Sequence, residues 1–184
     1  VGVPLAGRPP VILDFATSVI AQGKTRVAHN QGKALPPGCV IDDHGRDSTD
    51  PHWTVVPPYG ALLPFGGELG GHKGYGLALV CELLGGALAG SLTQHDDSIA
   101  LRRVINGMFS VLLDPAALGA ANAFQQQAMA FVDWVTAAPP REGFDTVQVA
   151  GDPERAHRAR RLAEGVPVDA TTWREATKSS SVAS

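Results

Sequence analysis

The strongest periodic signal in the chain is an apolar run from Leu77 to Leu88. Leu77, Cys81, Leu84 and Leu88 share one helical face, and Ala78, Gly85, Gly86 and Ala87 cover much of the rest. A helix apolar nearly all round is an interior helix, and small residues let its neighbours approach closely. Glu82 and the two glycines break the run, which is too short to span a bilayer. Gly90-Ser91 closes it. Upstream, Val11-Ile12-Leu13 predicts a short strand ending at Asp14. Thr17 or Ser18 then caps a predicted helix through Val19, Ile20, Val27 and Ala28, stopped by Gly32. From Pro36 to Pro64 no period survives, and a long ordered excursion is expected.

Downstream, alternation and β-branched content predict a strand over Met108–Leu113. Pro115 opens a predicted helix to about Ala137, amphipathic through Leu118, Phe124, Met129, Phe131 and Trp134. Thr146–Val149 reads as a short strand. Asp152-Pro153-Glu154 carries the cap, first-position proline and early acid of a helix start, and that helix ends near Gly165. Thr171 or Thr172 caps a last short helix with Trp173, and the Ser-rich tail from Lys178 is expected to be disordered. No internal repeat is visible.

Composition narrows the class. With 18% charged residues, 21 Gly and 14 Pro, the chain reads as a loop-rich α/β protein rather than a helical bundle. A formal net charge of -3 offers no electrostatic footprint for nucleic acid or an acidic membrane. Arg155, Arg158, Arg160 and Arg161 cluster at helical spacing and read as a solvated face. Cys39 and Cys81 fit neither a disulfide framework nor a zinc site, so buried or unreactive thiols in a reducing cytoplasm are expected. No signal peptide is seen. The chain opens on Val rather than Met and runs straight into Pro-Leu-Ala-Gly-Arg-Pro-Pro, from which a missing upstream part is expected.

Candidate chemistry centres on glycines. Gly67–Lys73 approaches a phosphate-binding P-loop, but His72 precedes Lys73 and Gly74 follows it, so the hydroxyl that would hold magnesium is absent. No G-x-G-x-x-G occurs, which leaves an ordinary Rossmann site unsupported. A glycine loop, the His72-Lys73 pair and a helix N-terminus would suit an anion; a turn that merely permits tight packing fits as well. Asp14-Phe15-Ala16-Thr17-Ser18 is a strand-to-helix corner whose hydroxyls and first amides could grip a ribose or phosphate, or simply cap a helix. Asp42, Asp43, His44, Asp47, Asp50 and His52 crowd one loop, but their spacing fits neither an EF-hand nor a zincin, and a solvated turn is favoured over a metal site. No G-x-S-x-G is present, and His29, His95 and His157 lie in no recognisable pattern.

Several blocks together resemble one family. They are Val11-Ile-Leu-Asp-Phe-Ala-Thr-Ser18, Gly23-Lys24, Leu35-Pro-Pro-Gly38, Ile41-Asp-Asp-His-Gly45 with Ser48-Thr-Asp-Pro51, Gly60-Ala-Leu-Leu-Pro-Phe-Gly-Gly67, and His72-Lys-Gly-Tyr-Gly-Leu77 with the run to Leu88. Their order and spacing resemble the malate/L-lactate dehydrogenase-like oxidoreductases, strongly from Val11 to Pro115 and more faintly through Gly151-Asp-Pro-Glu154. The resemblance implies a mixed α/β fold, a largely antiparallel sheet with flanking helices, distinct from Rossmann proteins, and a homodimer as the basic unit. It implies NAD or NADP as cofactor and a 2-hydroxyacid/2-oxoacid substrate such as malate or lactate. It places cofactor contacts at Asp14, Phe15, Ala16, Thr17 and Ser18, at His72, Lys73 and Gly74, and at Gly151, Asp152 and Pro153, with no metal. The family's catalytic His lies in a segment upstream of everything here, so no His of this chain is assigned as catalytic. Residues 1–138 are expected to form the NAD(P)-binding domain, 139–177 a segment packing back on it, and 178–184 the tail. The rival expectation is a catalytically incomplete remnant that serves only cofactor binding or subunit assembly.

Overall fold

The structure, a computed structural model, describes residues 1–93 and 106–180. It divides into two compact units, one of Val1–Phe15 with Val111–Pro167, the other of Ala16–Ser110 with Val168–Ser184. The fold is mixed α/β with small antiparallel sheets.

In the first unit, strands β1 (Gly2–Leu5) and β2 (Arg8–Ile12) form an antiparallel hairpin, turned at Gly7 with φ 68°. The strand foreseen at Val11–Leu13 is the end of this longer one. Helix α3 (Ala121–Thr136) docks on the hairpin through polar contacts: Ala6 N–H donates to Gln125 Oε1 at 2.9 Å, Gln125 Nε2 donates to Pro4 O at 3.2 Å, and Arg8 pairs with Asp133. Among the described residues of this unit, Leu5 is the one buried large hydrophobic side chain. The helix expected from Pro115 begins only at Ala121. Asp114 Oδ1 accepts from Ala116 N–H, and Gly119 at φ 68° turns the chain before a helix can propagate. Helix α4 (Asp152–Glu164) lies where the sequence predicts a helix, but its N-cap is Gly151 and Asp152 is already helical; it stops at Gly165, φ 90°. Thr146–Val149 forms no strand.

In the second unit, β3 (Val40–Ile41) is the central strand of a three-stranded antiparallel sheet, between β4 (Asp47–Ser48) and β5 (Ala61–Leu62). Helix α1 (Gln22–Asn30), a 3-10 turn (Pro51–Thr54) and a last helix α5 (Ala170–Ser180) complete this side of the unit. The core is Leu35, Cys39 and Val40, with Ile20, Ala28 and Trp53 packed on it. Fully buried Thr25 donates to Gln22 O at 2.8 Å and accepts from Thr54 Oγ1 at 2.7 Å, so its hydroxyl is satisfied and ties α1 to the 3-10 turn. Helix α1 starts after Ala21, not at Thr17 or Ser18. Those two residues run extended toward Pro64: Ser18 bridges Pro64, and its hydroxyl donates to Ile20 O at 2.8 Å. The acid-rich loop is a hairpin turn in which Asp42 Oδ1 accepts from the His44 and Arg46 amides, the Arg46 bond first in holding its carboxyl below the usual range. The cap of α5 is Asp169, which accepts from the Thr171 and Thr172 amides and the Thr172 hydroxyl, rather than either threonine. Helix α5 runs into the segment expected to be a tail, to Ser180; positions 181–184, like His95, lie outside the described residues.

The segment Met108–Leu113 belongs to no strand. Leu112 is 91% exposed and Met108 82%. Its alternation is that of a strand, but a strand exists only where a neighbour completes its ladder, and none does among the described residues.

Candidate functional site

Helix α2 (Gly67–Cys81) and the π-helical stretch that continues it (Glu82–Leu88) carry the His72-Lys73 pair. The glycine-dense stretch was expected to be a loop feeding a helix N-terminus. It is already helical, capped by Gly66 at φ 102°, and His72 and Lys73 sit in its second turn. No free amides stand ready for an anion at Lys73, because the amides there lie inside the helix. The glycines serve another purpose. A Cβ on Gly74 would stand 2.1 Å from Phe65 O, and one on Gly71 would stand 3.2 Å from Pro64 Cγ. Without side chains at these positions, α2 lies directly on the Pro64–Phe65 backbone.

The same backbone receives the corner. Phe65 N–H donates to Thr17 O at 2.8 Å, and Val19 N–H donates to Leu63 O at 2.9 Å. Phe65 thus stands between Thr17 and α2, so the later part of the corner and the His72–Gly74 turn of helix are neighbours in one unit. Phe65 lies within a block that carried the resemblance, but nothing in its residue type marked it as the link. The side chains of His72 and Lys73 are exposed, and neither makes a hydrogen bond or ion pair among the described residues.

In the other unit, Asp14 shares a cleft of about 350 Å³ with Gly151 and Pro153. Ile12 N–H donates to Ala150 O at 2.9 Å, which pins the end of β2 beside the turn into α4. Gly151 caps α4 at φ 100°. Asp152 N–H is taken by Val149 O and Arg155 N–H by Gly151 O, Pro153 has no N–H, and Glu154 N–H is left without a partner among the described residues. A helix N-terminus with a free amide therefore opens on a cleft beside a carboxylate. Asp152 itself is an anchor: Oδ1 accepts from Arg155 Nη2 at 2.5 Å and Oδ2 from Val149 N–H at 3.0 Å. The Arg155 hydrogen bond first, then that of Val149, holds its carboxyl below the usual range. Arg155 also donates to Pro10 O at 3.0 Å, which corrects its expected place on a purely solvated face.

The structure therefore brings together Asp14, Gly151 and Pro153 in one unit, and Thr17 with Gly74 in the other. Among the described residues, no three His, Cys, Asp or Glu side chains stand close enough to share a metal ion. Both thiols are free; Cys39 is buried as expected, but Cys81 is exposed. No helix among the described residues is long and apolar enough to cross a membrane.

Residues 1–176 match the family model described as malate/L-lactate dehydrogenase. The chain belongs to that family. As a member of the malate/L-lactate dehydrogenase family it is 40% identical over 166 residues to hydroxycarboxylate dehydrogenase B of Escherichia coli (strain K12), covering 89% of this chain and 44% of that protein. It is 39% identical over 168 residues to an L-lactate dehydrogenase of Cupriavidus necator, covering 91% and 47%. A solved dehydrogenase from Sinorhizobium meliloti superposes with a TM-score of 0.77 at 35% identity, covering 96% of this chain and 50% of that one. A Δ1-piperideine-2-carboxylate reductase from Pseudomonas syringae gives 0.68 at 31% identity, covering 95% and 50%. The chain spans about half the length of the relatives it matches.

Proposed function

We propose that this chain is the cofactor-binding portion of an NAD(P)-dependent oxidoreductase acting on a 2-hydroxyacid/2-oxoacid pair of the malate or lactate type, working as a homodimer in the cytoplasm. The observation that carries the reading is the seating of α2 on Phe65, which also holds Thr17, within a chain of this family. The relatives named above act on small hydroxy acids or cyclic imino acids, which supports the substrate class.

Each unit, taken by itself, carries residues that fit a part of a nucleotide. Lys73 offers a cation with no hydrogen-bond or ion-pair partner among the described residues, suited to a phosphate. Asp14 is a hydrogen-bond acceptor for a ribose hydroxyl, and the free Glu154 amide at the start of α4 is a donor in the same cleft. Gly151 contributes shape, since a Cβ there would stand 2.8 Å from Arg155 Nη1. Asp152 acts from behind, by fixing the first turn of α4. The bound nicotinamide would supply the hydride exchanged with C2 of the acid. No residue of this chain is assigned the accompanying proton transfer.

Thermal unfolding with NADH or NADPH tests the reading. A ligand that binds only the folded state raises the unfolding temperature by mass action, by about 2.7 kcal/mol of stability at a hundred times its Kd. A rise is expected with one of the two cofactors; an unchanged transition at millimolar concentrations of both rejects the site.

A further inference from the structure

Helix α2 and its π-helical continuation are attached to their unit in an unusual way. The positions they bury are Gly74 and Gly86, which have no side chains. Gly71 and Gly74 lie on Pro64 and Phe65, Gly86 on the backbone of Leu92 and the methyl of Thr93, and a Cβ on Gly107 would stand 1.6 Å from Gly85 O. The large side chains face the other way. Leu69 is 95% exposed, and Tyr75, Leu79, Val80, Leu83 and Leu88 are all about half exposed or more. At about 100° per residue, the exposed apolar positions of α2 from Tyr75 round to Leu77 sweep an arc of about 200°.

A surface helix turns an apolar stripe of about 100° or more inward and a polar face outward. Here the inward stripe is glycine and the outward arc is mostly apolar, interrupted by Gly76 and by exposed Glu68, His72 and Lys73. We infer that the outward face of Gly67–Leu88 is an internal packing surface, covered by the half of the dehydrogenase that this chain does not span. The family relatives supply the argument for that occupant: they are about twice as long as the matched region. The width of the arc supplies the second argument. One helix of a second copy, laid across a two-fold axis, covers about one stripe; an arc of twice that width needs several elements, as a neighbouring domain provides.

His72 and Lys73 lie inside this arc. The covering polypeptide therefore encloses Lys73 as well and must leave it an anionic partner, because a lone ammonium loses stability when removed from water. That partner is the cofactor phosphate, a clause that rests on the function proposed above; the covered helix does not.

The first test uses the chain by itself, with light scattering after size exclusion and binding of the apolar dye ANS. Wild-type chain is expected to bind ANS strongly and associate without fixed stoichiometry. Leu79→Glu with Leu83→Glu, both on the arc, is expected to lower ANS fluorescence several-fold and yield monomer. A discrete wild-type dimer that this double variant splits would overturn the inference in favour of a second copy, and so would a wild-type monomer with background ANS signal. The second test replaces the matched 166 residues of E. coli hydroxycarboxylate dehydrogenase B by this chain. Amide exchange over Gly67–Leu88, measured without cofactor, should slow at least tenfold relative to the isolated chain. Equal exchange in both, or a chimera that fails to fold while its parent folds, overturns the proposal. Because no cofactor is present, this result is independent of whether the nucleotide site is real.

Discussion

Thr17 and Phe65 are joined by a 2.8 Å hydrogen bond from the Phe65 amide to the Thr17 carbonyl. The same Phe65 backbone is the floor on which Gly74 rests. Through these contacts one extended segment fixes both the corner and the helix that carries Lys73. The account of function depends on this junction.

The junction predicts opposite outcomes at two neighbouring glycines. Gly74→Ala places a methyl 2.1 Å from Phe65 O and must push α2 away; overpacking of this kind costs about 1–3 kcal/mol. Gly76→Ala meets no atom within 4 Å, and relieving helical glycine entropy stabilises by roughly 0.5–1 kcal/mol. Urea denaturation of the two variants checks the contrast.

Much of this was readable from the chain, and the failures share a physical cause. The apolar helix through Leu88 and the start of α4 at Asp152-Pro153 are set by local signals, side-chain periodicity and a proline in the first turn, and both appear, the latter one residue earlier than its cap signal places it. The glycine stretch before Leu77 reads as a loop in the sequence, and each helical glycine is indeed unfavourable by about 1 kcal/mol against alanine. What overrides that preference is the approach of α2 to Phe65, a contact made by backbone and silent in the sequence. Met108–Leu113 fails for the reverse reason: its pattern is correct for a strand, but the ladder must come from elsewhere. Thr17 looked like a cap because of its hydroxyl, whereas its carbonyl is the group that is used.

Thr25 should be sensitive despite its small size. Thr25→Val keeps the shape but removes the donor to Gln22 O and the shorter of two acceptors of the Thr54 hydroxyl, which keeps Pro51 O at 3.0 Å. A loss of about 0.5–1.5 kcal/mol is expected, read from chemical denaturation. A variant within 0.5 kcal/mol of wild type would show that this hydroxyl pair does not tie α1 to the 3-10 turn.

The Asp152–Arg155 pair gives the first unit an acid sensitivity. The folded-state pKa of Asp152 is depressed, so its contribution is complete above the unfolded value of about 3.9 and is lost as pH falls through the lower folded value. Asp152→Asn should therefore destabilise near neutral pH and flatten the stability profile below pH 4. Both partners are about one-third exposed, so the effect at neutral pH is limited to about 1 kcal/mol. Parallel stability curves for variant and wild type from pH 7 to pH 3 would remove this role.

The most direct measurement is a calorimetric titration of NADH and NADPH into the wild-type chain and into Lys73→Met, with unfolding temperatures recorded beside it. Lys73 is exposed and has no side-chain partner among the described residues, so its replacement should leave the cofactor-free unfolding temperature unchanged while weakening the preferred cofactor at least tenfold, about 1.4 kcal/mol. Saturable binding of equal affinity in both proteins, or no binding heat in the wild type, would contradict the claim that this helix and the Thr17 corner hold a dinucleotide.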